Sequence, residues 1–241
     1  MMKKIILSVK KILNKLGYNL VYYRSPMETT IIPLDIKTII DIGANTGDYA
    51  KEMRKLFPQS TIYSFEPLSS CFEALNLTMA NDKNFKSYNT ALGNEKGTTA
   101  INKSSFHPSS SILTMSDIHK HLYPKSKDSQ QETISITTLD DILEREPLKK
   151  NVLIKMDVQG FEDKVIVGGQ TIIDQASVVI IETSFVSLYQ NQPLFEDIYA
   201  LMMDLGFMYY GDLHRHYSKT TNRLIYEDSI FIKKADLLST I

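Results

Sequence analysis

Short β-rich runs alternate with helical stretches from residue 38 onward, and this alternation limits the chain to few folds. "TIIDI" (38–42), "TIYSF" (61–65), "FKSYNT" (85–90), "NVLIKMDV" (151–158) and "SVVIIET" (177–183) read as buried strands. "DYAKEMRKLFP", "SSCFEALNLTMA", a segment starting at Phe161 and "PLFEDIYALMMDLGF" read as the helices between or after them. Parallel neighbours need long crossovers, so the pattern predicts an α/β fold, its sheet mostly parallel and helices on both faces. "MYYGDL" and "DSIFIKK" have no helix between them, which predicts an antiparallel C-terminal strand.

The 241 residues are 43% hydrophobic and 23% charged, enough for one sizeable core. Residues 1–30 read as an amphipathic helix and linker, with "YNLVYY" (18–23) as a short strand, and residues 31–241 read as the main domain. Within it, about 94–131 is a polar insertion that lacks a long apolar face. It includes short strands at "TTAIN" and "SSIL" and an exposed loop at "HKHLYPKSKDSQQ". A formal net charge of -1, from 27 basic and 28 acidic residues, supplies no global field for nucleic acid. The single cysteine, Cys71, cannot form an internal disulfide, which fits a reducing, cytoplasmic setting.

At the amino terminus, Ile5, Ile6, Val9, Ile12, Leu13 and Leu16 recur at helical spacing, with Lys3, Lys4, Lys10, Lys11 and Lys15 largely opposite. Lysines interrupt the apolar run too early for a signal peptide. Such a helix packs on its own domain or on a second subunit in a homo-oligomer, or it lies peripherally on an anionic membrane.

The first strand ends in "IIDIGANTGDYA" (39–50). A loop between a parallel strand and its helix presents unpaired amide groups at the carboxyl edge of the sheet, where ligands bind. Gly43 and Gly47 suit such a turn, but the dinucleotide fingerprint wants three glycines, and Asn45 stands near the middle one's place. Asp41 would repel a pyrophosphate and suits a ligand bearing an ammonium or sulfonium. Glu66, in "FEP" at the end of the second strand, lies where an acid accepts hydrogen bonds from ribose hydroxyls. An acid at the turn plus an acid on the ribose describes S-adenosylmethionine better than NAD.

"IIDIGANTGDYA", "SFEP", "TALGN", "TLDDI", "IKMDVQGFEDKVIVGG" and "IETSF" stand in the order and spacing of the FkbM-type methyltransferases, which residues 38–233 resemble. The resemblance implies a class I, Rossmann-like methyltransferase fold that uses S-adenosylmethionine. It also implies O-methylation of a hydroxyl on a sugar, a glycan precursor or a secondary metabolite. Asp41, Gly43, Asn45 and Gly47 would then line the methionine part of the cofactor, and Glu66 would hold the ribose. Ala91 and Leu92, with Asn89 nearby, would lie against the adenine, and Asp157 would sit beside the reacting methyl. Gln159 stands where many relatives have glutamate. The region from His107 to Gln131 matches only loosely and is where acceptor specificity would lie.

An acceptor hydroxyl needs help to lose its proton. Asp157, at a strand end facing the donor, is the first candidate base; its other role is cofactor contact alone. Glu182, ending "IIET", approaches the same pocket, and His107 would act from a lid. Asp157, Glu182 and Glu162 together offer oxygen ligands for Mg²⁺, although strand-end acids often only cap loops, and no Cys/His set has zinc spacing. The histidines of "HKH" and "HRH" read as surface residues. Tyr189, Tyr209, Tyr210, Tyr217 and Tyr226 would stack on a sugar or pack, and Ser109, Ser110 and Ser111 would donate to acceptor hydroxyls or satisfy a polar loop. Two other classes fit less well: an NAD(P)-linked oxidoreductase and a non-catalytic cofactor-binding subunit.

Overall fold

The computed structural model describes residues 2–18, 25–104, 107–126 and 128–237. Most of "YNLVYY" lies outside the described residues. Helix α1 (Met2–Lys15) leads to β1 (Thr38–Ile42), α2 (Asp48–Leu56), β2 (Thr61–Phe65), α3 (Ser69–Thr78) and β3 (Phe85–Tyr88). Then come β4 (Ala91–Leu92), β5 (Gly97–Ser104), α4 (Asp117–Leu122), β6 (Ser129–Thr137) and α5 (Leu139–Leu143). The remainder is β7 (Val152–Met156), α6 (Glu162–Val167), α7 (Gln170–Ile173), β8 (Ala176–Ser184), α8 (Phe195–Asp204), β9 (Phe207–Tyr217), β10 (Leu224–Lys233) and α9 (Lys234–Leu237).

Seven strands form one sheet in the order β3-β2-β1-β7-β8-β10-β9. The first five are parallel, and β10 runs antiparallel between β8 and β9. All five residues of β1 are buried, as a central strand covered on both faces requires. Side chains alternate between the two layers. Ile39, Ile62, Leu153, Val178, Ile180 and Ile230 pack with Ala50 and Met53 of α2 and with Leu75 of α3. Ile40, Ile42, Ile154, Met156, Val179 and Ile181 face the other way, onto Leu139 and Leu143 of α5, Val165 and Ile166 of α6, and Ile198 and Met202 of α8.

The polar middle differs from its sequence reading. Gly97–Thr137 carries both long strands of a second sheet, ordered β4-β6-β5, with β4 and β6 parallel and β5 antiparallel to β6. Its apolar seam, Ile101, Ile134 and Ile136, packs on Ala91, Leu68 and Cys71. "SSIL" contributes only a bridge between Ser111 and Asn102. The "HKH" stretch is helical, capped by the Ser116 hydroxyl on the His119 amide. His119 is buried rather than on the surface, and its ring lies 5.2 Å from that of Tyr123 and 5.0 Å from that of Tyr189. Neighbouring aromatics that close over one face of a six-residue helix leave too short a periodicity to read.

Helix α1 does not bury its apolar face on the described body: Ile5, Ile6, Val9, Ile12 and Leu16 are all exposed. Among the described residues, no helix is long and apolar enough to cross a membrane.

The helical layer sits so close to the rim that glycine is obligatory at one point. A Cβ on Gly168 would lie 1.9 Å from the Gly93 carbonyl oxygen. Because Gly168 has φ −83°, which alanine adopts freely, the penalty is purely steric. Gly168→Ala is expected to destabilise the fold by about 1–3 kcal/mol, seen as a lower urea midpoint at unchanged slope.

Candidate functional site

The alternation that buries isoleucines and valines against α2 and α3 continues, at the carboxyl edge, into polar groups. Two residues beyond Ile62, Ile39, Leu153 and Ile180 stand Ser64, Asp41, Lys155 and Glu182, and Asp228 precedes Ile230 by two on the antiparallel strand. The register sets Asp41 beside both Ser64 and Lys155, and Glu182 beside Asp228. One face of the sheet therefore ends in a row of charges.

A cleft opens above this row, with about 1030 Å³ of space when the open solvent at its mouth is included. Its walls include Gly43, Asn45 and Thr46 of the β1 turn, Glu66 and Leu68 after β2, Ala91 and Leu92, and Lys155 and Asp157 at the end of β7. Gly43 has φ 83°, and a Cβ there would lie 2.0 Å from the Asp157 carbonyl oxygen, so this glycine lets two strand ends meet. Gly47, at φ 90°, admits Leu75 of α3 and is not itself in the cleft wall.

Asn45 adopts φ 48°, which turns its amide to donate to Glu66 Oε2 at 2.8 Å, while the Leu68 amide donates to Oε1 at 2.9 Å. Burial nevertheless pushes Glu66 up to about 7, against the lowering effect of those amides. The Asn45 side-chain oxygen and the Tyr49 hydroxyl are buried at the cleft without a hydrogen-bond partner. These atoms fit a ligand that brings its own polar groups.

Two residues expected at the cofactor stand behind the wall. Asp41 is fully buried below the cleft, because β1 is a central strand. Among the described residues neither of its oxygens has a partner at close hydrogen-bond distance, although the Ser64 hydroxyl beside it helps to lower its pKa. Burial raises it to about 6, although Lys155 opposes the rise. Asn89 donates instead to the carbonyls of Glu66 and Pro67 at 2.9 and 3.0 Å, bracing the acid-bearing loop.

At the far end of the cleft, Lys155 Nζ lies 3.1 Å from Asp157 Oδ2. Burial drives the ammonium toward neutrality, but Asp157 and Asp41 more than offset this and raise its pKa. Gln159 Nε2 donates to Asp157 Oδ1 at 2.7 Å and to Glu182 Oε1 at 2.8 Å. Tyr189 in turn donates its hydroxyl to Gln159 Oε1 at 2.8 Å. Burial, then the neighbouring Asp157, pushes Glu182 well above the usual carboxylate range.

Glu162 does not join this group: its carboxylate accepts the amides of Val158 and Gly160, at 3.1 and 3.2 Å. Among the described residues, no three His, Cys, Asp or Glu side chains gather as a metal-holding set. The side chain of His107 lies outside what is described.

Beyond Glu182 is an aromatic rim. Tyr226 stacks on His216 at 4.7 Å between ring centres, and Tyr123 lies 5.8 Å from His216. Tyr209 is instead engaged with Glu227, at 2.7 Å, and Tyr210 with Thr30, while Tyr217 is exposed. Of the serines, Ser111 donates its hydroxyl to the Gln159 carbonyl, the Ser110 hydroxyl accepts the Ser104 amide at the cleft wall, and the Ser109 backbone carbonyl accepts from Tyr189. Lys155 had a readable signal that the sequence analysis did not use, a lysine inside the apolar run "VLIKM". Asp228 and Tyr123 had none, since only the fold brings them to Glu182.

The chain matches the family model described as a methyltransferase FkbM domain over residues 41–209. It is 27% identical over 185 residues to "Methyltransferase 1" of Beauveria bassiana, covering 72% of this chain and 73% of that protein. It is 26% identical over 165 residues to "2-O-methyltransferase NoeI" of Sinorhizobium fredii, covering 64% of this chain and 66% of that one. Among solved structures, an FkbM methyltransferase from Methylobacillus flagellatus KT has the same fold, with a TM-score of 0.52 at 12% identity. That likeness covers 82% of this chain, which spans 44% of the length of the solved chain. The family match spans well over half of the sequence and includes both the β1 turn and the β7 acid, and the protein belongs to the FkbM methyltransferase family.

Proposed function

We propose that the protein is an S-adenosylmethionine-dependent O-methyltransferase whose acceptor is a hydroxyl of a sugar, a glycan precursor or a secondary metabolite. The observation that carries this reading is the continuity of a cofactor-sized cleft with a carboxylate pair, Asp157 and Glu182, bridged by Gln159. When bound, S-adenosylmethionine supplies an electrophilic methyl group. Glu66 would accept its ribose hydroxyls, Ala91 and Leu92 would pack on the adenine, and the unsatisfied Asn45 oxygen would take a donor from the methionine end. Asp41 and Asp157 would favour the positive charge through space.

Asp157 takes the acceptor's proton in this scheme. Its side chain is 30% exposed, at the cleft end, and Lys155 and Gln159 fix each of its oxygens in place. Glu182, Tyr123 and Tyr226 then offer polar and flat aromatic surface beside the reacting position. That combination suits a hydroxylated ring, and a relative named as a 2-O-methyltransferase supports oxygen as the methylated atom. A cytoplasmic setting, consistent with the lone cysteine, belongs to the same reading.

Calorimetric titration is expected to show binding of S-adenosylmethionine and S-adenosylhomocysteine and none of NADH; binding of NADH alone would move the protein to the oxidoreductases. The carboxylate form of Glu66 is the one that accepts two ribose hydroxyls, and its pKa is raised to about 7. S-adenosylhomocysteine should therefore bind about tenfold more weakly at about pH 6 than at about pH 8. Glu66→Gln is expected to weaken binding by roughly tenfold or more at the higher pH and to remove this pH dependence.

Asp157→Asn separates catalysis from cofactor contact. With donor and an accepted hydroxyl compound present, kcat is expected to fall by roughly 10²–10⁴-fold, while affinity for S-adenosylhomocysteine changes only a few-fold. Lost affinity with little loss of kcat would return Asp157 to the cofactor site alone.

A further inference from the structure

We propose that α1 is a docking element for an anionic phospholipid surface, on which it lies with its axis in the plane of the interface. Ile5, Ile6, Val9, Ile12 and Leu16 are 58%, 50%, 42%, 59% and 67% exposed, and all fall on one side of the helix together with half-buried Leu13. Lys10, Lys11 and Lys15 stand on the other side, exposed, and none of them joins an ion pair within the described residues. Leu7 alone departs from the division. An apolar stripe flanked by lysines is the form of a helix that lies in a lipid interface.

Charge selects lipid over the other occupants. The first 27 residues contain Lys3, Lys4, Lys10, Lys11, Lys15 and Arg24 and no acid at all; the first acid is Glu28. From residue 28 onward, 21 of the 27 cations face all 28 acids, so the remainder of the chain carries -7. An anionic surface therefore attracts α1 and repels the body, which sets one orientation. A second copy of α1 would bring like charges together. Crossing the bilayer is excluded by length, because 14 helical residues reach about 21 Å against a hydrocarbon core of about 30 Å.

The chain contains no tryptophan, so Ile12→Trp in the full-length protein gives a single reporter on the apolar side. Vesicles of phosphatidylcholine alone are compared with vesicles that also contain phosphatidylglycerol, with flotation of the wild-type chain in parallel. The expected result is a blue-shifted emission and flotation with the anionic vesicles only, both reduced by added salt. The combined substitution Lys10→Glu, Lys11→Glu and Lys15→Glu is expected to weaken partitioning by roughly tenfold or more. S-adenosylhomocysteine affinity is measured on the same samples and should not change, since α1 contributes nothing to the cleft. Unshifted emission with all of the protein left in the aqueous fraction overturns the proposal. So does equal binding to both vesicle types, or a dimer that α1 substitutions dissociate without any lipid uptake. Because lipid binding and cofactor binding are read separately, failure of one leaves the other standing.

Discussion

Lys155 is a buried cation on the central strand β7, and the carboxyl edge of the sheet depends on its charge. Cross-strand pairing places it beside Asp41, and the pleat places Asp157 on the same face two residues on. Burial alone lowers the pKa of an ammonium in that position; held between two carboxylates, its pKa is raised instead. The dependence runs in both directions. Lys155 is the cation that offsets the charge of buried Asp41, with a smaller contribution from the Ser64 hydroxyl on the neighbouring strand. A neutral side chain at 155 would leave Asp41, Asp157 and Glu182 to repel one another across adjoining strands, and breaking such a group is far worse than never building it.

The same geometry explains why the glycines of the β1 turn have different tasks from those their motif suggests. Gly43 is needed where the ends of β1 and β7 touch, which keeps Asp157 close to the turn. Gly47 is needed where α2 approaches α3. At the turn Asn45 lines the cleft, its left-handed backbone aiming an amide at Glu66 and leaving a side-chain oxygen at the cleft. A motif of small residues thus becomes a means of bringing two acids, one following β2 and one following β7, to the wall of a single cleft.

The main sheet was legible because its strands β1, β2, β7 and β8 are buried on both sides and therefore read as nearly continuous apolar runs, as in "TIIDI" and "SVVIIET". The cleft residues that follow such runs in the sequence, Asn45, Glu66 and Asp157, were legible for the same reason. The second sheet was legible only in part. The short strand read at "TTAIN" lies within β5, but β5 and β6 bury few of their residues and are otherwise rich in serine, threonine and other polar residues, so their full length resembles a polar loop. His119 was missed because the rings of Tyr123 and Tyr189 that enclose it come from the residue just past its own short helix and from a loop 70 residues away. Asp41 was read as an acid at a strand end lining the cofactor, and it lies buried below the cleft; sequence gives the end of a strand and not the depth of the layer above it.

Gln159 shows what a departure from a family pattern can mean physically. It has φ 56° and is followed by Gly160 at φ 97°, so the chain reverses sharply after β7 and turns the side chain back across the strand ends. The amide then uses its full capacity: two N–H groups reach Asp157 and Glu182, and the oxygen accepts from Tyr189. A glutamate in this conformation has no N–H to offer, and as a carboxylate it would add a third negative charge between two others. The glutamine instead gives every bond in the network a direction, from tyrosine hydroxyl to amide oxygen and from amide nitrogen to both acids. Asp157 is thereby left as an acceptor on one side of a neutral bridge, while Glu182, raised by burial, stands on the other. One amide thus joins the two carboxylates, and in the proposed scheme Asp157 is the base while Glu182 shapes the acceptor side.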